Sequence, residues 1–452
     1  MKRFDYDLVV IGSGDAGSEA ALIAAKSGLN VALVEAKKWG GSNLNTSNVP
    51  FGAALNGAFT YKQALAGARF GISSANLRYN YPTLMNWKNQ AAKRAGANSK
   101  KIFEDAKITC IHGEARFVSK TEIVVGKDTF SAKKFLIATG ASVADTGIKI
   151  PENVDYYLPE NILDIPRAPK SVFVVGAGST GCEIAQYFAA LGCEVVIADI
   201  AGRLLPREDE EAGQVLDEVF KRDGIKVLTQ SRVVALEKDG VEKKVIFMRG
   251  GQEKSIKIGA VILCTGSAPN VDLGLENAGV KYAHDGIKVD DTMQTSTKHI
   301  YAAGDVVGGH SSTEKAIIDA RVAVAHIVGK SKLTRNYDGL IRVTNTCPEV
   351  AHVGISEDDC IRRDRKIKKI IVPLQAVQKA NIADYYSGFV KLIYGKSGVL
   401  IGGTVMAPNA GLVAQELAYA VKYEMNASEM AAVPHLTNDW SELIRTAAER
   451  LK

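Results

Sequence analysis

The pattern of apolar and polar positions repeats one series along the chain. Tyr6 to Ile11 reads as a short buried strand and runs into Gly12-Ser13-Gly14-Asp15-Ala16-Gly17. An alanine-rich helical stretch follows, with Gly28 as its stop, and then a second apolar strand from Val31 to Val34 that ends in Glu35. The same series returns at Val172 to Val175, with Gly176-Ala177-Gly178-Ser179-Thr180-Gly181, a helical stretch to Gly192, and the strand Val195 to Ala198 ending in Asp199. In both copies the acid lies 23 positions beyond the first glycine. The matched register predicts two β-α-β units of the dinucleotide-binding kind.

The residue types suit that chemistry. The first glycine (Gly12, Gly176) permits a tight turn, and the second (Gly14, Gly178) lets the backbone approach a pyrophosphate. The third (Gly17, Gly181) lets helix and strand pack closely, with the helix N-terminus facing the phosphates. Glu35 and Asp199 are placed to bind ribose hydroxyls. One such fingerprint is weak; two with matched strands, helices and acids are strong. Each copy is followed by an apolar strand ending in Thr-Gly, at Phe135 to Gly140 and Val261 to Gly266, read as strands returning to each sheet. A further strand, Ile300 to Ala303, ends in Gly304-Asp305, where a carboxylate suits a polyol such as ribityl and an ordinary turn is the plain alternative.

Composition narrows the picture. The chain has 452 residues, 46% of them hydrophobic, too many for one core and enough for two or three domains. Lys plus Arg number 56 against 50 Asp plus Glu, and the one basic run, Arg362 to Lys369, reads as a solvated face, so no nucleic-acid partner is expected. The first apolar run, broken by glycine and preceded by Asp5 and Asp7, reads as a buried strand rather than a signal or anchor, so no transmembrane segment is expected. Six dispersed cysteines without a Cys-x-x-Cys pair or a Cys/His cluster point to a reducing, cytoplasmic setting and to no metal site.

Together these residues make the chain resemble, over essentially its whole length, the FAD-dependent pyridine nucleotide–disulfide oxidoreductases such as lipoamide dehydrogenase, glutathione reductase and mercuric reductase. The likeness includes Gly40-Gly41, Thr265 to Asn270, Pro348 to Gly354 and Gly388 to Leu392. The resemblance implies an α/β fold: two three-layer Rossmann-like domains, for FAD and NAD, and a C-terminal α+β dimerisation domain. The FAD domain would span 1–150 and 271–335, the NAD domain 151–270 and the interface domain 336–452. It also assigns Gly41, Ser42, Thr139, Gly140 and Asp305 to FAD with the first fingerprint, and Gly266 to NADH with the second.

The chain departs from the family where the redox disulfide belongs. The family reads Thr-Cys, four residues, Cys; here Ser42-Asn43-Leu44-Asn45-Thr46-Ser47-Asn48 stands there, so Asn43 and Asn48 take the two cysteine positions. An amide cannot become a thiolate, which excludes dithiol–disulfide exchange at this place. The family's His-x-His-Pro-Thr-x-x-Glu aligns without gaps to His435 through Glu442 and puts Thr437 on the base position; a two-residue shift would put His435 there. Cys182 and Cys264 lie in apolar settings and read as inert packing.

Asp199 would repel a 2′-phosphate, so NADH is favoured over NADPH, although Arg203 lies near. Glu183 matches a family glutamate near the nicotinamide and flavin, with a plain helix glutamate as the alternative. Ser179 stands where the family often carries a larger lid side chain. The resulting expectation is a homodimeric FAD-dependent NADH:acceptor oxidoreductase of the diaphorase, quinone reductase or transhydrogenase type, passing electrons to a small non-disulfide acceptor and serving redox homeostasis. The alternatives are a lipoamide dehydrogenase-like enzyme with another thiol, and a non-catalytic flavin or NADH sensor. By the resemblance, Trp440 would wall the former disulfide channel, or simply pack in the interface.

Overall fold

The structure, a computed structural model, describes residues 3–73, 76–329 and 332–451. By packing, the chain divides into two compact units, one of residues 1–54, 82–145 and 266–336, the other of 55–81, 146–265 and 337–452.

The first unit is built on a parallel sheet in the spatial order Thr109–His112, Val31–Glu35, Tyr6–Ile11, Asp128–Ile137, Ile300–Ala302. The last strand comes from far along the chain and pairs Ile300 with Phe135. Strands Glu122–Val125 and Ala115–Ser119 extend the other end of Asp128–Ile137 in antiparallel fashion. Val31 to Val34 are all buried because the sheet is covered on both faces, as a parallel sheet must be. On one face the helices Asp15–Lys26 and Thr313–Ile327 pack against Leu8, Val10, Leu33 and Leu136. Alanines at 16, 20, 21 and 24 bring the first helix close to the sheet. Each buried Leu, Ile or Val side chain contributes about 1.5–3 kcal/mol through the hydrophobic effect.

Among the described residues the second unit holds two larger sheets, of four and five strands, besides a three-stranded meander. One is parallel, in the order Lys226–Leu228, Glu194–Ala198, Ser171–Val175, Ala260–Leu263, with an antiparallel meander from Ser231 to Ile258 beside it. The other is antiparallel: Ile341–Thr344, Glu349–Gly354, Leu400–Ala407, Phe389–Tyr394, Lys368–Pro373. Helices Ala410–Lys422 and Glu442–Glu449 share its core through Leu417, Leu443 and Ile444. The fold is thus mixed α/β with an α+β C-terminal part. Among the described residues no helix is long and apolar enough to cross a membrane.

Candidate functional site

The two fingerprints fold alike. Gly12 has φ +100° and Gly176 +106°, and a Cβ on either would stand 2.3 Å from a carbonyl oxygen, of Ala138 in the first copy and Cys264 in the second. Such a turn admits only glycine. A Cβ on Gly17 would lie 1.8 Å from the oxygen of Gly12, and one on Gly181 1.9 Å from that of Gly176, so these glycines set how closely helix and strand approach. At Gly14 and Gly178 a Cβ would meet nothing within 4 Å. Each helix therefore starts on bare backbone N–H groups with open space before them, a geometry that fits a nucleotide pyrophosphate.

The two acids also take matching places. Glu35 Oε2 accepts from Ser13 N at 2.9 Å and Ser13 Oγ at 2.6 Å, and Oε1 accepts from Lys37 N at 2.7 Å. Asp199 Oδ2 accepts from Ala177 N at 2.6 Å and Oδ1 from Ala201 N at 2.7 Å. In both copies a carboxylate oxygen is anchored by the residue between the first two glycines, which aims the carboxylate at the end of its strand. A shallow, open depression of about 540 Å³ beyond the end of the strand Val31–Glu35 is lined by Lys37, Lys38, Trp39, Asn45, Lys100 and His112, among others.

The end of the first returning strand is pinned by Asn270. Thr139 Oγ1 donates to the Asn270 carbonyl at 2.8 Å, Asn270 Nδ2 to the Thr139 carbonyl at 2.9 Å, and Asn270 N to the Gly140 carbonyl at 2.9 Å. Gly266 has φ +100° with open space at its Cβ position, and the buried Thr265 Oγ1 has no hydrogen-bond partner among the described residues. Asp305 is half-buried, and its carboxyl is pushed above the usual range, first by burial and then by Asp15 and Asp319, against Lys315 and Ser311. Its turn is braced by a buried ion pair: Lys315 Nζ lies 2.9 Å from Asp319 Oδ2, which also accepts from Gly304 N at 3.1 Å. The signal for that brace was an i, i+4 Lys–Asp pair inside an alanine-rich helix.

Around Asn43 and Asn48, Gly41 at φ +68° would place a Cβ 2.5 Å from Gly14 Cα, so the short helix Gly41–Asn45 lies directly on the first fingerprint. The Ser42 side chain is exposed, while its carbonyl accepts from Thr46 N and Ser47 N at 2.8 Å each. Asn43 is half-buried and donates to Asp15 Oδ1 at 2.9 Å. Asn48 is exposed at the start of the helix Asn48–Leu65. The described cysteines are all free thiols. Burial pushes Cys182 and Cys264 far above the usual thiol range and Cys193 up to about 11, so these three are poor nucleophiles at neutral pH.

Glu183 accepts from Asn345 N at 2.6 Å and Asn345 Nδ2 at 3.0 Å through Oε1. Burial nonetheless pushes its carboxyl up to about 7, the two Asn345 bonds opposing. An acid whose folded value is raised makes folding less favourable as pH climbs from its unfolded value near 4.5 to about 7, where the cost is complete. Glu183→Gln is therefore expected to flatten the decline in unfolding free energy between pH 5 and 7; chemical denaturation at both values measures it, and an unchanged slope would count against the raised carboxyl. Ser179 Oγ accepts from Thr344 Oγ1 at 2.7 Å.

At the C-terminus the candidate base residues are not brought together. His435 Nε2 lies 2.6 Å from Glu416 Oε1 and Nδ1 2.8 Å from the Val433 carbonyl oxygen, so both ring nitrogens are engaged. Thr437 is exposed. Glu442 accepts instead from Asn438 N at 3.2 Å and Arg445 Nη2 at 3.0 Å. Trp440 corrects the channel-wall expectation: it is 5% exposed, belongs to the core of its own domain and meets Tyr385 edge-on at 6.4 Å. An indole flanked by polar residues looked surface-bound in sequence, yet its large apolar area favours the core. No group of three or more His, Cys, Asp or Glu able to hold a metal occurs among the described residues.

The sequence matches the family model described as pyridine nucleotide-disulphide oxidoreductase over residues 6–326 and that of the same family's dimerisation domain over 341–448. It is 31% identical to a dihydrolipoyl dehydrogenase of Staphylococcus aureus, covering 99% of this chain and 96% of the relative. It is 30% identical to a mercuric reductase of Bacillus cereus, covering 96% of this chain and 70% of the relative. Among solved structures, LpdA of Mycobacterium tuberculosis superposes with a TM-score of 0.90 at 26% identity, over 98% of this chain and 99% of that one. The Cu(II) complex of the flavoprotein disulfide reductase RclA of Escherichia coli gives 0.89 at 21% identity over the full length of both chains, a likeness of fold.

Proposed function

Because the chain belongs to the pyridine nucleotide-disulphide oxidoreductases, enzymes that use FAD and a pyridine nucleotide, we propose that it is an NADH:acceptor oxidoreductase whose electrons leave the flavin directly for a small non-disulfide acceptor such as a quinone or a second nicotinamide nucleotide. The observation that carries this reading is the pair of amides at positions 43 and 48, the first of them bonded to a carboxylate. Bound FAD supplies the hydride-accepting ring, and NADH the hydride. The protein's part is position and electrostatics. The fingerprint of Gly12, Gly14 and Gly17 with Glu35, Thr139, Gly140 and Asp305 would hold FAD, and that of Gly176, Gly178 and Gly181 with Asp199 and Gly266 would hold NADH.

Two details support NADH over NADPH. Asp199 presents a carboxylate where a 2′-phosphate would need a cation. Arg203, the neighbouring cation, is turned away: Nη2 lies 2.7 Å from Asp358 Oδ2 and also donates to the Glu208 carbonyl at 3.2 Å. A homodimer is supported by the matched dimerisation domain and by the apolar side chains it exposes, among them Leu412, Tyr419, Tyr423 and Leu436.

A second reading, disulfide reduction through another thiol, has the dihydrolipoyl dehydrogenase relatives in its favour. An anaerobic titration with NADH separates the two. Complete flavin bleaching by one equivalent, no thiolate-to-flavin band, and many turnovers with a quinone or dye are expected; a thiolate band with a second equivalent consumed, and turnover of dihydrolipoamide, would replace this proposal with the second reading. NADH binding without turnover of either acceptor would indicate a sensor.

A further inference from the structure

Asp15, the residue after the second fingerprint glycine, joins three helix starts in the first unit. It opens the helix Asp15–Lys26, Thr313 opens Thr313–Ile327, and Asn43 lies in the short helix Gly41–Asn45. Asn43 Nδ2 donates to Asp15 Oδ1 at 2.9 Å and reaches Thr313 Oγ1 at 3.3 Å, while Thr313 Oγ1 donates to Asp15 Oδ2 at 2.7 Å. Both carboxylate oxygens thus take a proton donor from a neutral side chain far away in sequence. Neither is needed as a cap, because the cap of the second helix is Ser312, whose Oγ accepts from Lys315 N at 3.1 Å.

A carboxylate so placed dictates what its neighbour can be. It needs donors, and an asparagine amide is a neutral donor of the right length. A thiolate at position 43 would be a second anion within hydrogen-bond range of Asp15, and like charges at that distance raise the pKa of the thiol. The positive end of the first helix gives no relief, since Asp15 itself already answers that potential.

We propose that Asp15 is a positioning residue that, with Thr313, commits position 43 to a neutral hydrogen-bond donor and bars thiolate chemistry there, whatever residue is introduced. Three residues, Asp15, Asn43 and Asn48, then stand between this place and a redox dithiol, and placing cysteines at positions 43 and 48 alone does not create one. The inference deepens the non-disulfide reading above and rests on it for its meaning, but its geometry and its test stand apart from the identity of the acceptor.

The test compares Asn43→Cys with Asn43→Cys/Asp15→Asn in the full-length, FAD-loaded protein. Alkylation at position 43 by iodoacetamide is followed by mass spectrometry, which separates it from the native cysteines, across pH 6 to 10. With Asp15 present the introduced thiol is expected to react about tenfold more slowly at pH 7, its profile lying about one pH unit higher than in the double variant. Coincident profiles would overturn the proposal. Should either cysteine variant fail to fold, Asn43→Asp and the exchanged pair Asn43→Asp/Asp15→Asn replace them. The single variant is expected to melt lower than the parent and the exchange to recover the loss; no recovery overturns the proposal equally. The acceptor reading is decided separately, by NADH turnover with quinone and dihydrolipoamide in the unaltered protein, so the failure of one is not the failure of the other.

Discussion

Lys391→Ala is expected to lower the unfolding free energy of the second unit by about 3–5 kcal/mol at neutral pH, because it leaves the buried Asp209 and the half-buried Glu211 without that cation, while Glu357 keeps Lys369. The Lys391 side chain is 1% exposed, with Nζ 2.7 Å from Glu211 Oε2, 2.7 Å from Glu357 Oε2 and 3.4 Å from Asp209 Oδ1. Burial alone would lower the lysine and raise the acids. The mutual charges outweigh it, so Lys391 is held above its usual range by Asp209, Glu211 and Glu357. Asp209 is held below its own by His352 and Lys391, and Glu357 by Lys369 and Lys391. For the two acids the stabilisation is present above the unfolded carboxylate range near pH 4 and is lost as pH falls through their depressed folded values. For the lysine it is present below its unfolded value and lost only as pH rises through its raised folded one. The variant should therefore lose stability at pH 7 and also show a shallower fall between pH 5 and 3. Urea unfolding at these values measures both, and a loss below about 1 kcal/mol at pH 7 would mean that the carboxylates find water or other donors without the lysine.

Gly181→Ala and Gly178→Ala are expected to separate two roles within one fingerprint. At Gly181 the added carbon meets the Gly176 carbonyl oxygen at 1.9 Å, a backbone atom that cannot swing aside, so the helix Ser179–Ala190 must move from the strand Ser171–Val175. Overpacking of this kind costs about 1–3 kcal/mol, and NADH affinity should fall at least tenfold as the helix start is displaced. At Gly178 the same carbon meets no protein atom within 4 Å. That variant should melt like the parent yet bind NADH at least tenfold more weakly, because the methyl group fills the approach to the helix N-terminus. FAD content should persist in both, since the first fingerprint is untouched. Fluorescence titration with NADH and thermal melting decide the matter. Unchanged NADH affinity in Gly178→Ala would remove the second fingerprint from nicotinamide binding.

Much of the fold was legible because its signals are local. The turn glycines, the alanine-rich helices and the acid closing each second strand lie within about thirty consecutive residues, and backbone sterics with strand and helix periodicity act over that distance. The paired φ angles and Cβ approaches of the two copies are the physical form of that repeat. The site was legible as residue types but not as partners. The Asp15–Thr313 bond and the Thr139–Asn270 clamp join residues 298 and 131 positions apart, and nothing in a local pattern specifies such pairs.

The sequence by itself determined the two β-α-β units, their nucleotide-binding chemistry and the absence of thiols at positions 43 and 48, because each follows from residue identity and short-range geometry. Only the tertiary structure decided that Asn43 belongs to Asp15 and Thr313, that His435 pairs with Glu416 rather than Glu442, and that Trp440 lies in the core. These are choices among competing hydrogen-bond and packing partners brought together by the fold. Their outcome is set by which neighbours remain to satisfy a buried polar group or cover an apolar one once the chain has closed on itself.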